Sequence, residues 1–319
     1  MKHIFILNPN SGKSKNRKKF ESELIKTCDE LGLEYEIYYT KAALDGQRYV
    51  RECCEKAAVE GKKLRVYGCG GDGTVNELVN GVYGFENVEF GIFPMGTGND
   101  YIRNYGTKEA FLNIRNQILG KSKKSDLIKY KAEYNDKISE GLCANMFNIG
   151  FDCNVADLTA RVKRVPFIQG SLAYLVAVVI MFVQKKGADL KIEFPDGKVR
   201  DGRILLIAVA NGCFCGGGVK GVPKSILDDG LMDVSVVNNI SRLAFLRLFS
   251  SYSKGTHLER KDVIKNNIIE YSKEKALTIT ANGESFMLCI DGEISNQNKV
   301  EFSMAEDAVK FIVPADIAD

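Results

Sequence analysis

Several absences limit the sequence before any motif is read. It has no long hydrophobic run: its most apolar stretch, "SLAYLVAVVIMFV" at 171–183, falls short of a membrane span. A span needs roughly 20 apolar residues, so a buried core helix is expected there. It has no paired C-x-x-C units. The nine cysteines are scattered, with Cys53 and Cys54 as neighbours and Cys213 and Cys215 as a close pair. That pattern argues against a zinc site and against a disulfide framework, and reduced cytosolic thiols are the simplest account. A strong charge of one sign is missing as well, the net charge being +3 with a pI near 8.2. This is too weak to argue for nucleic acid, though mildly favourable for an anionic lipid surface or a polyphosphate ligand. The start, "MKHIFILNPNSG", lacks the apolar core and cleavage site of a signal peptide, so a soluble protein is expected. No internal repeat or low-complexity tract is visible.

What is present is ordinary globular composition over 319 residues, 45% apolar and 27% charged, enough for two domains with a large core. The first third alternates. "KHIFILN", "LEYEIYYT", "KKLRVYG" and "VEFGIFP" read as strands, separated by helical patterns in "NRKKFESELIKTCDELG", "GQRYVRECCEKAAVEG" and "VNELVNGVYG". Gly61 is placed to end the second helix. Strands alternating with helices predict an α/β domain with a parallel sheet, and in such sheets ligands sit at the carboxyl ends of the strands. After about residue 126 the pattern turns strand-rich, with hairpin signals at Asp196-Gly197, Asn282-Gly283 and Asp291-Gly292. Helices are expected around 170–186 and 241–254. The expected organisation is an α/β domain over 1–128, to which a last strand within 305–319 returns, and a mostly antiparallel β-sandwich over 129–304.

Three loops fall at predicted carboxyl ends of the parallel strands. In "GCGGDGTVNE", Gly68, Gly70, Gly71 and Gly73 bracket Asp72 between a strand and a helix. Glycines let a backbone or ligand approach closely, and amides at a helix start favour an anion. Thr74 and Asn76 add side-chain donors, with Val75 between them. "GTGND" repeats the logic with Gly96, Thr97, Gly98, Asn99 and Asp100. "NPNSGKS" contains Gly12-Lys13-Ser14, but Leu7 stands where a P-loop needs its first glycine, which rejects Walker A. What is left is a strand end at Asn8 and Pro9 and a turn with Ser11 and Gly12, suited to hold a phosphate by backbone amides. Each loop alone is equally a tight turn without a ligand. Three in one sheet are much harder to explain by turns alone.

Together these loops resemble the diacylglycerol kinase catalytic family, which includes sphingosine and ceramide kinases and bacterial lipid kinases. The carrying residues are "NPNSG" at 8–12, "GGDGTVNE" at 70–77 and "GTGND" at 96–100. Downstream, "FNIGFD" at 147–152, "CGGGVKGVPKSILDDGLMDV" at 215–234 and "DGE" at 291–293 follow in order. NAD kinases and phosphofructokinases share the GGDG-type loop but are not expected to carry the other elements.

The resemblance implies an NAD kinase-like nucleotide domain with ATP bound between two domains. Thr40, the stretch Gly70, Gly71, Asp72, Gly73, Thr74, Val75, Asn76, and Thr97 would contact the nucleotide. It makes Asp291 the proton acceptor, with Glu293 secondary in the same turn. A Mg²⁺ ion would be held by the Asp229 carboxylate and the carbonyls of Ile226 and Leu231. Asp72, Asp100 and Asp126 would form a carboxylate cluster below the phosphates, holding a catalytic Mg²⁺ through water. On residues alone, Thr40 is equally a strand-end cap and Asp291 a hairpin turn. The pair Asp228-Asp229 then opens an ordinary turn, Asp126 caps a strand, and Glu293 is a solvated residue. Two departures stand out: Tyr101 where the family often has Phe, and Cys215 where an aromatic often precedes the glycines.

The expected protein is therefore a cytoplasmic, peripherally membrane-associated kinase using ATP and Mg²⁺. Its partner would be a lipid substrate at a membrane surface, diacylglycerol first, with no nucleic acid and with a homodimer left open. The alternatives are a soluble small-molecule kinase of NAD-kinase type and a nucleotide-binding regulator without turnover.

Overall fold

The computed structural model describes residues 1–9, 14–150, 187–291 and 293–318. The expected helix at 170–186, with the apolar stretch at 171–183, lies outside the described residues. The chain divides into two compact units: Met1–Leu127 with Leu227–Asp229 and Ala305–Asp319, and Ile128–Ile226 with Gly230–Met304.

The first unit is built on strands β1 (Lys2–Leu7), β2 (Glu34–Tyr39), β3 (Leu64–Gly70) and β4 (Val88–Pro94). They pair in parallel in the order β2-β1-β3-β4, and the end of β15 (Lys299–Val313) adds to β4 with Phe311 opposite Phe90. Near-continuous burial along β1, β3 and β4 is the mark of a sheet covered on both faces. Helix α1 (Ser14–Glu30) covers one face, sinking Leu24 and Cys28 among Phe5, Leu7, Tyr67 and Phe93. On α2 (Asp45–Val59) and α3 (Asp72–Val82) the buried residues recur at helical spacing: Val50, Cys54 and Ala57 on one, Val75, Leu78, Val79 and Val82 on the other. The two helices pack closely enough that a Cβ on Gly81 would lie 2.9 Å from a Val50 methyl. Gly61, at φ 63, follows the end of α2 as expected. Two short helices that the sequence did not announce, α4 (Lys108–Leu112) and α5 (Ile114–Ile118), start at side-chain caps from Thr107 and Asn113.

The strand order turns back between β1 and β3, since the chain runs outward to β2 and then crosses to the other side. That switch point leaves a crevice at the carboxyl ends of the strands. Asn8 and Pro9, Thr40, Gly71 and the stretch 95–100 all follow directly from those ends.

The second unit is an antiparallel β-sandwich. Strand β9 (Val199–Ala210) organises it. Its first half pairs with β8 (Ala188–Glu193), and its second half with β7 (Met146–Gly150) and β10 (Met232–Asn238). Strand β11 (Ile269–Glu274), not anticipated from sequence, extends β10. From β8 the sheet continues through β12 (Ala276–Ala281) to the start of β15. From β7 it continues through β13 (Phe286–Ile290) to β14 (Glu293–Gln297). The end of β5 (Lys121–Tyr134) pairs with β6 (Lys137–Cys143). The core joins Phe147, Ile149, Ile192, Ile207, Val209, Val234, Ile279, Leu288 and Phe302. Helices α6 (Arg242–Lys254) and α7 (Lys261–Lys265) form a separate cluster over β9 and β10.

Two of the three hairpin signals close hairpins, at 196–197 between β8 and β9 and at 291–292 between β13 and β14. The third does not. Strands β12 and β13 have different partners, so Asn282-Gly283 carries the chain from one part of the sheet to another. The Asn282 side-chain amide donates to Asp189 (2.8 Å) and Asp201 (2.7 Å), which ties the turn to β8 and β9.

Both histidines of the chain are buried, His3 stacked on Tyr67 and His257 against Tyr252. Burial pulls each down to about 4 from its ordinary value of 6.5, with the Arg65 charge adding to the effect at His3. The folded state therefore favours neutral rings, and this stabilisation is complete above the unfolded pKa and lost as pH falls from about 6.5 to 4. At the lower limit each ring costs about 3 kcal/mol at 1.36 kcal/mol per pKa unit. Urea melts at pH 7 and pH 4.5 should show a loss of stability that His257→Phe reduces by a kcal/mol or more, on the order expected of a neutral replacement. Parallel pH dependence in the two proteins would show that His257 does not contribute.

Candidate active site

The two glycine loops of the first unit lean on each other. A Cβ on Gly96 would fall 2.6 Å from the Gly71 Cα, and one on Gly71 would fall 3.1 Å from the Gly96 Cα. A Cβ on Gly70 would strike Thr74 Oγ1 at 2.0 Å. Packing alone therefore accounts for these three glycines. Gly73 is different: it lies exposed in the first turn of α3, and nothing stands within 4 Å of where its Cβ would be. The loops are latched by Met95 N and Gly96 N donating to Gly70 O at 2.8 and 3.2 Å. Asn99, at φ 52, closes the second loop on itself: it accepts from Gly96 N (3.1 Å) and donates to Gly96 O (2.7 Å). Asn tolerates this left-handed conformation better than most residues. Thr97 is exposed at the loop tip, and Gly98 follows it.

Asp72 binds the loops together. Its Oδ1 accepts from Asp100 N at 2.7 Å and Tyr101 N at 3.4 Å. Its Oδ2 faces Gly98, where a Cβ would come within 2.7 Å. Asp100 is buried and lies 3.5 Å from Arg103 Nε. Asp126 sits apart in role: its carboxylate accepts from Asp307 N (2.6 Å), and its amide donates to Leu227 O (2.7 Å). It thereby fastens residues 227 and 307 to β5. No group of three His, Cys, Asp or Glu side chains suited to a metal occurs among the described residues. Asp229 is half-buried in the turn that ends at Gly230 (φ 72), and Ile226 is exposed and Leu231 half-buried beside it in sequence.

Asn8 N donates to Cys69 O (3.4 Å) and Thr40 N to Leu7 O (3.0 Å), so both strand ends stay in register with the sheet. Val75 is buried in α3, while Thr74 and Asn76 are half-buried. Ser11 and Gly12 lie outside the described residues.

In the second unit Asp291 holds the first position of the two-residue hairpin loop, at φ 45. Such loops require left-handed residues, which Asp accepts. One carboxylate oxygen is fixed by the Cys143 thiol (3.2 Å) and Met146 N (3.3 Å). Burial, and then the Asp291 charge, push the Cys143 thiol well above its ordinary value. It stays protonated and donates. Glu293 opens β14 and is exposed.

Sequence reading missed the supports. Glu77, quoted in its motif without a role, accepts from Leu44 N (3.0 Å), itself at φ 63, and so anchors the segment after Thr40. Asp45 in that segment accepts from Lys41 N, Tyr38 and Arg48, and the guanidinium above all holds it down to about 2. Three cations reach loop carbonyls: Arg17 to Pro9, Arg103 to Gly98 and Lys108 to Gly96. Cations so close to glycine loops were the signal available. Tyr101 keeps its hydroxyl satisfied by Ser125 (3.2 Å) and Tyr105 (3.3 Å), which explains the departure from Phe. Cys215 N closes a turn onto Val219 O at 2.9 Å around Gly216, Gly217 and Gly218, all at positive φ.

One unit that is a parallel α/β sheet with packed glycine loops at its strand ends, and a second that is an antiparallel sandwich, together define a phosphate-handling protein of kinase type. The diacylglycerol kinase catalytic domain matches residues 2–130, and the YegS C-terminal NAD kinase beta sandwich-like domain matches 145–313. The chain belongs to the diacylglycerol kinase family. Its relatives include the diacylglycerol kinase of Bacillus subtilis strain 168, 26% identical over 98% of this chain and 97% of that protein. The diacylglycerol kinase of Staphylococcus carnosus strain TM300 is 27% identical over 98% of this chain and 95% of its own length. The crystal structure of a diacylglycerol kinase from Bacillus anthracis strain Sterne shares the fold. Its TM-score is 0.69 over 99% of this chain and 98% of that one, at 20% identity. The family is one of lipid kinases, phosphotransferases with an alcohol group as acceptor and ATP as phosphate donor.

Proposed function

We propose that the protein transfers the γ-phosphate of ATP to the free hydroxyl of diacylglycerol, giving phosphatidic acid and ADP. The observation that carries this reading is Gly73. Its neighbours Gly70, Gly71 and Gly96 are glycine because the loops pack on them, whereas Gly73 leaves open space at the amides of a helix start. That is where anionic phosphates are favoured. Arg103 and Lys108 supply positive charge at the Gly96–Asp100 loop, and Arg17 at the strand end at Pro9. Asn8, Thr40, Thr97 and Asn76 complete the nucleotide contacts.

Asp291 acts as general base. The Cys143 thiol and Met146 N orient the Asp291 carboxylate, whose oxygens can take the proton of the acceptor hydroxyl. The acceptor oxygen forms its bond to the γ-phosphorus as the bond to the ADP oxygen breaks. Mg²⁺, when bound, neutralises the phosphate charge. Asp72 and Asp100 would hold it near the phosphates, and hard carboxylate oxygens suit it. Asp229, with the carbonyls of Ile226 and Leu231, offers the mixed ligand set of a second, structural ion.

Radiolabelled ATP is supplied to the purified chain with diacylglycerol micelles, with NAD, or with buffer. Labelled phosphatidic acid in the first arm alone is expected. Transfer to NAD would replace the lipid reading with a small-molecule kinase, and no transfer in any arm would leave a nucleotide-binding regulator.

A further inference from the structure

Helix α6 has two faces. Phe245, Leu248 and Tyr252 are buried with Leu206, Val237, Val263 and Ile269. At 100° per residue, Leu243, Leu246, Arg247, Ser250 and Lys254 fall on the opposite stripe. All five are exposed, and Leu243 and Leu246 keep 58% and 56% of their surface in water. Two outward leucines a turn apart on a helix that has a satisfied core face are not needed for folding. The helix has no acidic residue, and the stretch 241–267 has six basic residues against two acidic ones. One of those acids, Asp262, is paired with Arg260. Arg260 also donates to Arg247 O and to Ser251 Oγ (3.1 Å), which sets the start of α7 beside the middle of α6. Exposed Lys261, Ile264 (66% exposed) and Lys265 follow on α7. The helix start is capped by Ser241 and its end by Gly255 at φ 75, so the element is complete without a partner.

We propose that the α6 stripe, with the basic residues of α7, docks the protein on an anionic lipid bilayer. Leu243 and Leu246 would enter the interface while Arg247, Lys254, Lys261 and Lys265 meet the headgroups. Outward leucines flanked by cations, with no acid on the helix, are the pattern of an interfacial helix. A protein partner recognising leucines alone would not call for the cations, and an anionic surface calls for both. This docking rests on the lipid-kinase reading only for its purpose. The face is at the surface whatever the acceptor.

The test separates the two. The full chain is sedimented with vesicles of phosphatidylcholine, alone or with 30% phosphatidylglycerol, on the order of the anionic content that gives a substantial surface potential. The same proteins are assayed on a short-chain, water-soluble diacylglycerol, which needs no bilayer. Wild type should sediment with the anionic vesicles and be released by salt. L243E/L246E should bind about tenfold more weakly, since each leucine loses its apolar gain. R247Q/K254Q/K261Q/K265Q should lose the salt-sensitive part. Unchanged melting temperatures show that the variants fold. Both variants should retain wild-type rates on the soluble substrate. Wild-type vesicle binding by L243E/L246E overturns the proposal, as does a variant that only converts a dimer to monomer in sedimentation velocity. Vesicle binding lost in the variants, in a protein that phosphorylates no diacylglycerol at all, would uphold the docking face and sink the kinase reading.

Discussion

Asp291→Asn should fold, bind ATP as wild type and turn over at least about a hundredfold more slowly, the scale of a positioned general base. The substitution is close to neutral for the backbone. Asn tolerates the left-handed φ of 45 at this hairpin position, and its side-chain oxygen can still accept from Met146 N. What it cannot do is accept the proton of the acceptor hydroxyl. ATP affinity should hold because the proposed phosphate contacts belong to the first unit, whereas Asp291 belongs to the second. Glu293→Gln is the control: that side chain opens β14 in solvent and should turn over normally. Cys143→Ala removes a donor that orients Asp291 and should cost far less than Asp291→Asn. Single-turnover rates and ATP titrations of the three proteins decide the assignment. A dead Glu293→Gln beside an active Asp291→Asn reverses the roles within the turn. Normal rates in both place the base elsewhere.

How much of this could be read from sequence depended on the range of the interactions. Helix and strand periods in the first unit are local, and β1 to β4 and α1 to α3 fall where the apolar spacing put them. Strand pairing is not local. Asn282-Gly283 has the chemistry of a hairpin turn, yet β12 and β13 pair elsewhere, because β9 meets β8 with one half and β7 with the other. No turn residue encodes that. Site residues divide in the same way. Asp72 and Asp100 stand in glycine motifs and fall together, the carboxylate of one on the amide of the other. The carboxylate of Asp126 answers an amide 181 residues away at Asp307, a partner its short "KSDL" context could not announce. Glu77 was visible as a letter in its motif, but its partner is the amide of Leu44, fixed only once α2 and α3 pack.

The glycine loops allow binding to be separated from folding, with a second large effect. Gly96→Val should fail to fold properly or melt far lower. Its Cβ would fall 2.6 Å from the Gly71 Cα and 3.3 Å from the Gly71 N, so that the main clash is with backbone, and 3.0 Å from Asn99 Oδ1, which closes the same loop. Overpacking typically costs about 1–3 kcal/mol, and more where backbone must move. Gly73→Val meets nothing within 4 Å and lies in the first turn of α3. Valine is a better helix residue than glycine by a few tenths of a kcal/mol, so the unliganded variant should melt at or slightly above wild type. Its ATP affinity should nonetheless fall at least about tenfold, since an added side chain costing 1.4 kcal/mol to a ligand is already that factor. Asp72→Ala stands between them. It removes the acceptor shared by the amides of Asp100 and Tyr101, so it should lose transfer altogether and some stability with it. Thermal melts with and without ATP, and ATP titrations of all three, distinguish these outcomes. If Gly73→Val binds ATP as wild type does, the open space above α3 is not where the phosphates sit, and the glycines of this loop serve packing alone.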